Sequence, residues 1–262
     1  MKPAAFTLEQ PSSAALLMQS PQGRIMAGGQ SLGPMLNLRL AQPAHVVAIG
    51  QIPEFAAVEE TADAVIIGAC VTHAAIADGR TPDIGKGILP AIANGIAYRA
   101  VRNRGTIGGS LCHADPAADW LCTLTALDAA VLTLKPGGGR AIALTRFVPG
   151  PFRNALEAGE IVQAVRIPKV SQDARWGYYK ACRKPGEFAH AMAAVLIDPA
   201  RNISRAIIGA VGGAPIVLDG SDLTLDAADR ALLQSGLDGI GRTMQIAALR
   251  RALKQAGWER AA

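Results

Sequence analysis

Aromatic residues are scarce, with Phe, Trp and Tyr making up 4% of the 262-residue chain. The core must therefore be built from Ala, Val, Ile and Leu. Few aromatics, scattered basic residues and no reader motif argue against a nucleic-acid-binding protein. No stretch reaches the roughly 18 uninterrupted apolar residues of a membrane span. Glu9 and Gln10 follow Lys2 too soon for a signal-peptide core, so a cytoplasmic location is expected. The four cysteines, Cys70, Cys112, Cys122 and Cys182, include no C-x-x-C. That spacing argues against a zinc site, an iron–sulfur cluster on this chain or a disulfide framework, and predicts buried free thiols. A helix-opening G-x-G-x-x-G and a G-x-x-x-x-G-K-[ST] are both missing, which excludes the Rossmann and P-loop nucleotide sites.

Half of the residues are hydrophobic and 18% are charged, which excludes global disorder. The length allows one large domain or two modest ones. Glycine is abundant, at 28 residues, so tight turns and close backbone approaches are expected. The net charge of +5 points to an anionic ligand or an acidic partner subunit.

Ala64–Ala69 reads as a short apolar strand. Helical stretches are expected over Thr72–Asp78 and Gly87–Tyr98. Asp115-Pro116 reads as the start of a helix running through Trp120, Leu121, Leu124 and Leu127. Strands over Ala129–Lys135 and Arg140–Arg146 flank P-G-G-G, which reads as a hairpin turn rather than a phosphate loop. Glu160–Pro168 alternates as a strand should, and a domain boundary is placed near Val170. Beyond it, strands are expected over Trp176–Lys180, Ala189–Ile197 and Ser204–Val211. An amphipathic helix carrying Met244, Ile246, Leu249 and Leu253 follows.

Two glycine loops stand out, A-G-G-Q-S-L (Ala27–Leu32) and T-I-G-G-S-L (Thr106–Leu111). A glycine pair lets backbone N–H groups crowd around one anion, and a neighbouring hydroxyl adds a donor. Each pair alone reads equally well as a plain turn. Two such loops with matched serines point to the two phosphates of one pyrophosphate, and hence to a dinucleotide.

The segment A-G-G-Q-S-L-G-P-M-L-N-L-R-L (Ala27–Leu40) resembles the first flavin-binding loop of the medium, FAD-binding subunit of molybdenum hydroxylases, the carbon monoxide dehydrogenase and xanthine dehydrogenase superfamily. R-N-R-G-T-I-G-G-S-L-C-H-A-D-P-A-A-D (Arg102–Asp119) resembles its second loop. Y-Y-K-A-C-R-K-P-G-E-F-A (Tyr178–Ala189) and G-A-V-G-G-A-P (Gly209–Pro215) extend the resemblance over nearly the whole chain. Glu187 departs from the Asp that many relatives carry.

The resemblance implies an α+β fold. A vanillyl-alcohol-oxidase-type FAD-binding domain of two α+β subdomains would occupy residues 1–170. A C-terminal domain of sheet and helices would occupy 171–262. It further implies that Ile25, Met26, Ala27, Gly28, Gly29, Gln30, Ser31 and Leu32 wrap the FAD pyrophosphate. Thr106, Ile107, Gly108, Gly109 and Ser110 would form the opposing wall. Asp119 would contact the sugar-like chain of FAD, Ile161 would lie near the flavin ring, and Lys180 would touch the cofactor. Implied partners are a molybdopterin-binding large subunit and a small subunit with two [2Fe–2S] clusters, assembled as a dimer of heterotrimers. Electrons would pass from the clusters through FAD to an external acceptor, with no catalytic residue and no metal on this chain.

The residues alone leave other readings open. Asp119 also fits a solvated helix position, Ile161 a strand-core position, and Lys180 a basic patch with Arg183 and Lys184. His73 and His113 read as packed or surface histidines. Arg102 and Arg104 fit either phosphate neutralisation or a loop-holding role. A stand-alone oxidase or reductase of the same fold type is the alternative function, and a basic scaffold or nucleic-acid-binding protein a third.

Overall fold

The computed structural model describes residues 2–19, 23–237 and 239–258. The chain opens with β1 (Thr7–Glu9), α1 (Ala14–Gln19), β2 (Arg24–Met26), α2 (Leu32–Asn37) and β3 (His45–Ala48). The three strands form a parallel sheet in the order β1-β3-β2. Parallel neighbours need crossover connections, and α1 and α2 lie in them. Val46 and Val47 of the central β3 are fully buried. From sequence, this region reads only as a loop of unusual composition.

The second unit begins with α3 (Pro53–Ala56), β4 (Val58–Glu60) and β5 (Ala64–Gly68). The helices α4 (His73–Ala77), α5 (Ile88–Asn94), α6 (Arg99–Arg102), α7 (Ile107–His113) and α8 (Asp119–Ala126) follow. It closes with β6 (Ala130–Leu134), β7 (Ala141–Ala143), α9 (Leu144–Phe147) and β8 (Ile161–Pro168). Its five strands pair antiparallel in the order β4-β5-β8-β6-β7. The P-G-G-G segment is the β6–β7 turn, as expected, with Gly137 and Gly138 at positive φ. The strand expected to reach Arg146 stops at Ala143, because the chain coils into α9 and buries Leu144 and Phe147.

The helix expected from Asp115 starts at Asp119 instead. Asp115 Oδ1 accepts from Ala117 N at 2.9 Å, so the carboxylate caps a turn before the helix rather than the helix itself. All eight residues of α8 are buried. Trp120, Leu121 and Leu124 pack into the core under the five-stranded sheet. Cys122 and Ala126 pack on Met192, Ala194 and Ile207 of the next sheet. The helix is thus a wedge between two sheets, which explains why it has no polar face.

The C-terminal unit comprises β9 (Arg175–Ala181), β10 (Ala191–Asp198), β11 (Ile203–Gly209), β12 (Ile216–Asp219), α10 (Leu225–Gln234) and α11 (Gly239–Gln255). The strands form an antiparallel sheet in the order β12-β11-β10-β9. Helix α11 buries Ala248, Leu249, Ala252 and Leu253 against it. Close approach needs a glycine: a Cβ on Gly177 of β9 would lie 1.9 Å from the Ala252 carbonyl. The architecture is α+β. Among the described residues no helix is long and apolar enough to cross a membrane.

Candidate functional site: a two-loop cleft

The first glycine loop follows β2 and leads into α2. Ile25 and Met26 close the strand, and Ala27 packs with Ile25 on the cluster holding Val47, Ile49 and Cys70. Gly29 adopts φ +70°, and a Cβ placed on it would meet only the Met26 side chain, at 3.4 Å. The backbone N–H groups of Gly28, Gly29, Gln30 and Ser31 donate to no group of the chain among the described residues. Ser31 stands at the N-cap of α2, yet its hydroxyl makes no capping bond. Gln30 Nε2 folds back onto the Gly28 carbonyl at 3.3 Å. A run of uncommitted amides beside a left-handed glycine has the composition of the backbone concavities that bind anions.

The second loop caps α7. Thr106 is its N-cap, and Thr106 Oγ1 accepts from Gly109 N at 3.1 Å. Ile107 N donates to Val71 O, Gly108 N to Ala69 O, and Ser110 N to Thr106 O. The expectation that both loops would crowd amides around phosphate is therefore corrected. The amides of Ile107, Gly108, Gly109 and Ser110 are all engaged by the protein. Gly108 is a packing glycine, since its Cβ would lie 2.5 Å from that of Ala69. This loop offers a wall and the Ser110 side chain, while the first loop offers the amides.

The loops meet. A Cβ on Gly28 would lie 1.9 Å from the Arg104 carbonyl oxygen and 3.0 Å from Gly105 Cα. A Cβ on Gly109 would lie 3.6 Å from Ala27 Cβ. Two segments about 80 residues apart in sequence thus lie in contact, as the paired-loop reading requires.

A second cluster is buried at the start of α8. Lys180 Nζ of β9 lies 2.7 Å from Asp119 Oδ1, and both side chains are less than a tenth exposed. Tyr178 OH donates to the same oxygen at 2.7 Å. Burial first, and the Asp119 charge second, hold the Tyr178 phenol well above its ordinary pKa, so it stays a donor. Lys180 also donates to Gly95 O at 2.9 Å. An ammonium has three N–H bonds, and Asp119 and Gly95 O take two of them. Asp119 is thus no solvated helix residue, and Lys180 belongs to no surface patch with Arg183 and Lys184. Sequence reasoning missed Tyr178 as their partner. Its only signal was its place two residues before Lys180 on one face of a strand.

Ile161 is 5% exposed and sits on β8 in the cluster that supports Ile25 and Ala27. Arg102 holds a loop: its Nη1 donates to the carbonyls of Ile96 and Ala97 at 3.0 and 2.8 Å. His113 lies tilted over Phe152, with ring centroids 5.3 Å apart. His73 is buried and accepts from Trp120 Nε1 at 3.1 Å. Burial, with the Arg102 charge adding to it, pushes its pKa down to about 4. Burial also raises the thiols of Cys70 and Cys112 to about 12. Neutral imidazole and protonated thiols suit binding and support rather than acid–base or nucleophilic chemistry.

Residues 6–170 match the family of the FAD binding domain in molybdopterin dehydrogenase. The chain is 36% identical to the nicotine 6-hydroxylase medium subunit of Paenarthrobacter nicotinovorans, covering 88% of this chain and 86% of that one. It is 34% identical to the carbon monoxide dehydrogenase medium chain of Hydrogenophaga pseudoflava, covering 83% and 78%. The fold superposes on a solved carbon monoxide dehydrogenase structure from Hydrogenophaga pseudoflava with a TM-score of 0.87, at 30% identity over the full length of both chains. It also superposes on quinoline 2-oxidoreductase from Pseudomonas putida 86 with a TM-score of 0.82, at 30% identity, covering 98% of this chain and 99% of that one. With its paired glycine loops in contact, the chain belongs to the family of FAD-binding medium subunits of molybdenum hydroxylases.

Proposed function

We propose that this chain holds FAD as the electron-transfer subunit of a molybdenum hydroxylase complex. The observation that carries the reading is the contact of Gly28 with Arg104, which sets the four free amides of residues 28–31 beside the Thr106–Ser110 wall. The amides of Gly28, Gly29, Gln30 and Ser31 and the Ser31 hydroxyl would hold the diphosphate. Ile25, Met26, Ala27 and Leu32 shape the loop that carries them. Thr106, Ile107, Gly108, Gly109 and Ser110 close the far side. Ile161, packed in the core beneath this loop, would lie near the flavin ring, Asp119 would present its carboxylate to the sugar-like chain, and Lys180 would present its ammonium to the cofactor. Bound FAD supplies storage of two electrons and their transfer singly or as a pair, while the protein supplies binding and electrostatics.

In this reading the electrons come from the [2Fe–2S] clusters of a small subunit, after substrate oxidation at a molybdopterin-binding large subunit. They leave to an external acceptor. The assembly is a dimer of heterotrimers in the cytoplasm. The FAD-binding domain spans residues 1–170, and the C-terminal domain spans 171–262. The parting of the five-stranded sheet from the C-terminal sheet between β8 and β9 supports this division.

The test is an FAD titration of the full-length chain, followed by flavin absorbance and protein fluorescence. One FAD per chain, with co-purification of the two other subunits on co-expression, is the expected result. A folded chain that takes up no FAD would overturn the reading.

A further inference from the structure

The second loop is held from behind by a histidine that the resemblance does not include. His73 N donates to the Gly105 carbonyl at 2.8 Å, and Thr72 bridges Thr106 in an antiparallel pair. The imidazole edge presses on the same turn: a Cβ on Gly105 would lie 2.9 Å from His73 Cδ2 and 3.1 Å from Nε2. On its other side His73 Nδ1 accepts from Trp120 Nε1 at 3.1 Å. Indole nitrogen is a donor only, so Nδ1 must carry a lone pair and the proton must sit on Nε2. Burial and the nearby Arg102 charge keep the ring neutral, as this bond requires.

Trp120 follows Asp119 in α8, and Asp119 is fixed by Tyr178 and Lys180. The Arg104–Gly105 turn, in its turn, touches Gly28 of the amide-bearing loop. A continuous chain of contacts therefore runs from the C-terminal sheet through α8 and the imidazole to the cleft.

We propose that His73, locked in one tautomer by Trp120, is a positioning residue that sets the Arg104–Gly105 turn against Gly28 and so fixes the width of the diphosphate cleft. This inference rests on the FAD reading above and adds a residue to it. The imidazole meets the turn at Gly105. It acts through the turn.

The test uses the full chain with FAD titrations of wild type, His73→Phe, Trp120→Phe, the double variant and His73→Asn. Phenylalanine keeps the ring and removes the acceptor. Asparagine restores an acceptor near the Nδ1 position. The expected result is at least a tenfold weaker FAD affinity for each Phe variant, with the double variant no weaker than the worse single one. His73→Asn should recover affinity over His73→Phe when Trp120 is present, and should recover none in the Trp120→Phe background. A merely space-filling histidine would give the reverse order, with Phe better than Asn whichever residue stands at 120. Wild-type affinity in folded His73→Phe, or additive effects in the double variant, would overturn the proposal. If His73→Phe fails to fold, His73→Asn against His73→Ala in both Trp120 backgrounds gives the same comparison. Failure of the FAD reading itself is distinct, because wild type would then bind no FAD.

Discussion

Three glycines within six residues give three different outcomes on substitution by alanine. Gly28 is the most constrained. Its added methyl would sit 1.9 Å from the Arg104 carbonyl oxygen, against a floor of 3.0 Å for real Cβ contacts. The two loops must separate by about 1 Å, and both sides of the contact are backbone, which no rotamer change relieves. Overpacking of this kind costs about 1–3 kcal/mol. If the upper end falls on the cleft, FAD affinity drops by roughly a hundredfold. Gly29→Ala meets no backbone, but its φ of +70° belongs to the left-handed region. That costs about 1 kcal/mol and roughly a fivefold loss of affinity. Gly33 lies inside α2 with open space around it. Its replacement should raise stability by a few tenths to about 1 kcal/mol and leave FAD binding unchanged. Thermal melts of the flavin-free chain and FAD titrations of the four proteins are the assay. Gly28→Ala binding FAD as tightly as wild type, or Gly33→Ala binding more weakly than Gly28→Ala, would refute the reasoning.

The buried Asp119–Lys180 pair should be sensitive to the loss of either partner alone. Lys180→Met or Asp119→Asn should each cost about 3–5 kcal/mol in urea unfolding, and the double variant should cost less than their sum. Glu160 supplies an acid-sensitive lock, accepting from Arg140 Nε, Arg140 Nη2, Thr133 and Glu157 N. The Arg140 hydrogen bonds, foremost, pull its pKa from 4.5 down to about 2. The contribution is present above pH 4.5 and lost as the pH falls from 4.5 through 2. Glu160→Gln should flatten the fall in melting temperature over that interval, and an unchanged slope would contradict the assignment.

The glycine loops were legible because each is contiguous in sequence and carries its own chemistry. What distinguishes Gly28 from Gly29, or Gly108 from Gly109, was not. Gly28 answers to Arg104 and Gly108 to Ala69, contacts fixed only by folding. The same limit hid the engaged amides of Ile107 and Gly108 in the second loop, whose acceptors are Val71 and Ala69. Asp119 and Lys180 were visible singly and Tyr178 was not, because 59 residues separate Asp119 from the Tyr178 hydroxyl that shares its oxygen with Lys180. The N-terminal parallel sheet was missed because its strands are three or four residues long. Such a length is too short for an alternation pattern to register. The start of α8 was misplaced for a local reason. An Asp before Pro serves a turn as well as a helix, and only the bond from Ala117 N decides between them.

The net charge of +5 suggested an anionic ligand or an acidic partner subunit, and three of the 26 cations are committed within the chain. Arg102 is tied to two carbonyls, Lys180 is matched by Asp119, and Arg99 is matched by Asp78. The diphosphate site proposed here is built instead from neutral donors, the amides of residues 28–31 and the Ser31 hydroxyl. Amide dipoles fixed by the backbone need no reorganisation when the ligand arrives. They act only if the loop that carries them is held in place, and here every support is itself backbone or buried. Gly28 lies on Arg104, Ala27 lies on the core beside Ile161, and the opposite turn lies on His73. The conformation of the proposed site therefore depends on contacts outside the amide run, which is why a site formed by short glycine motifs would need the surrounding fold to hold it.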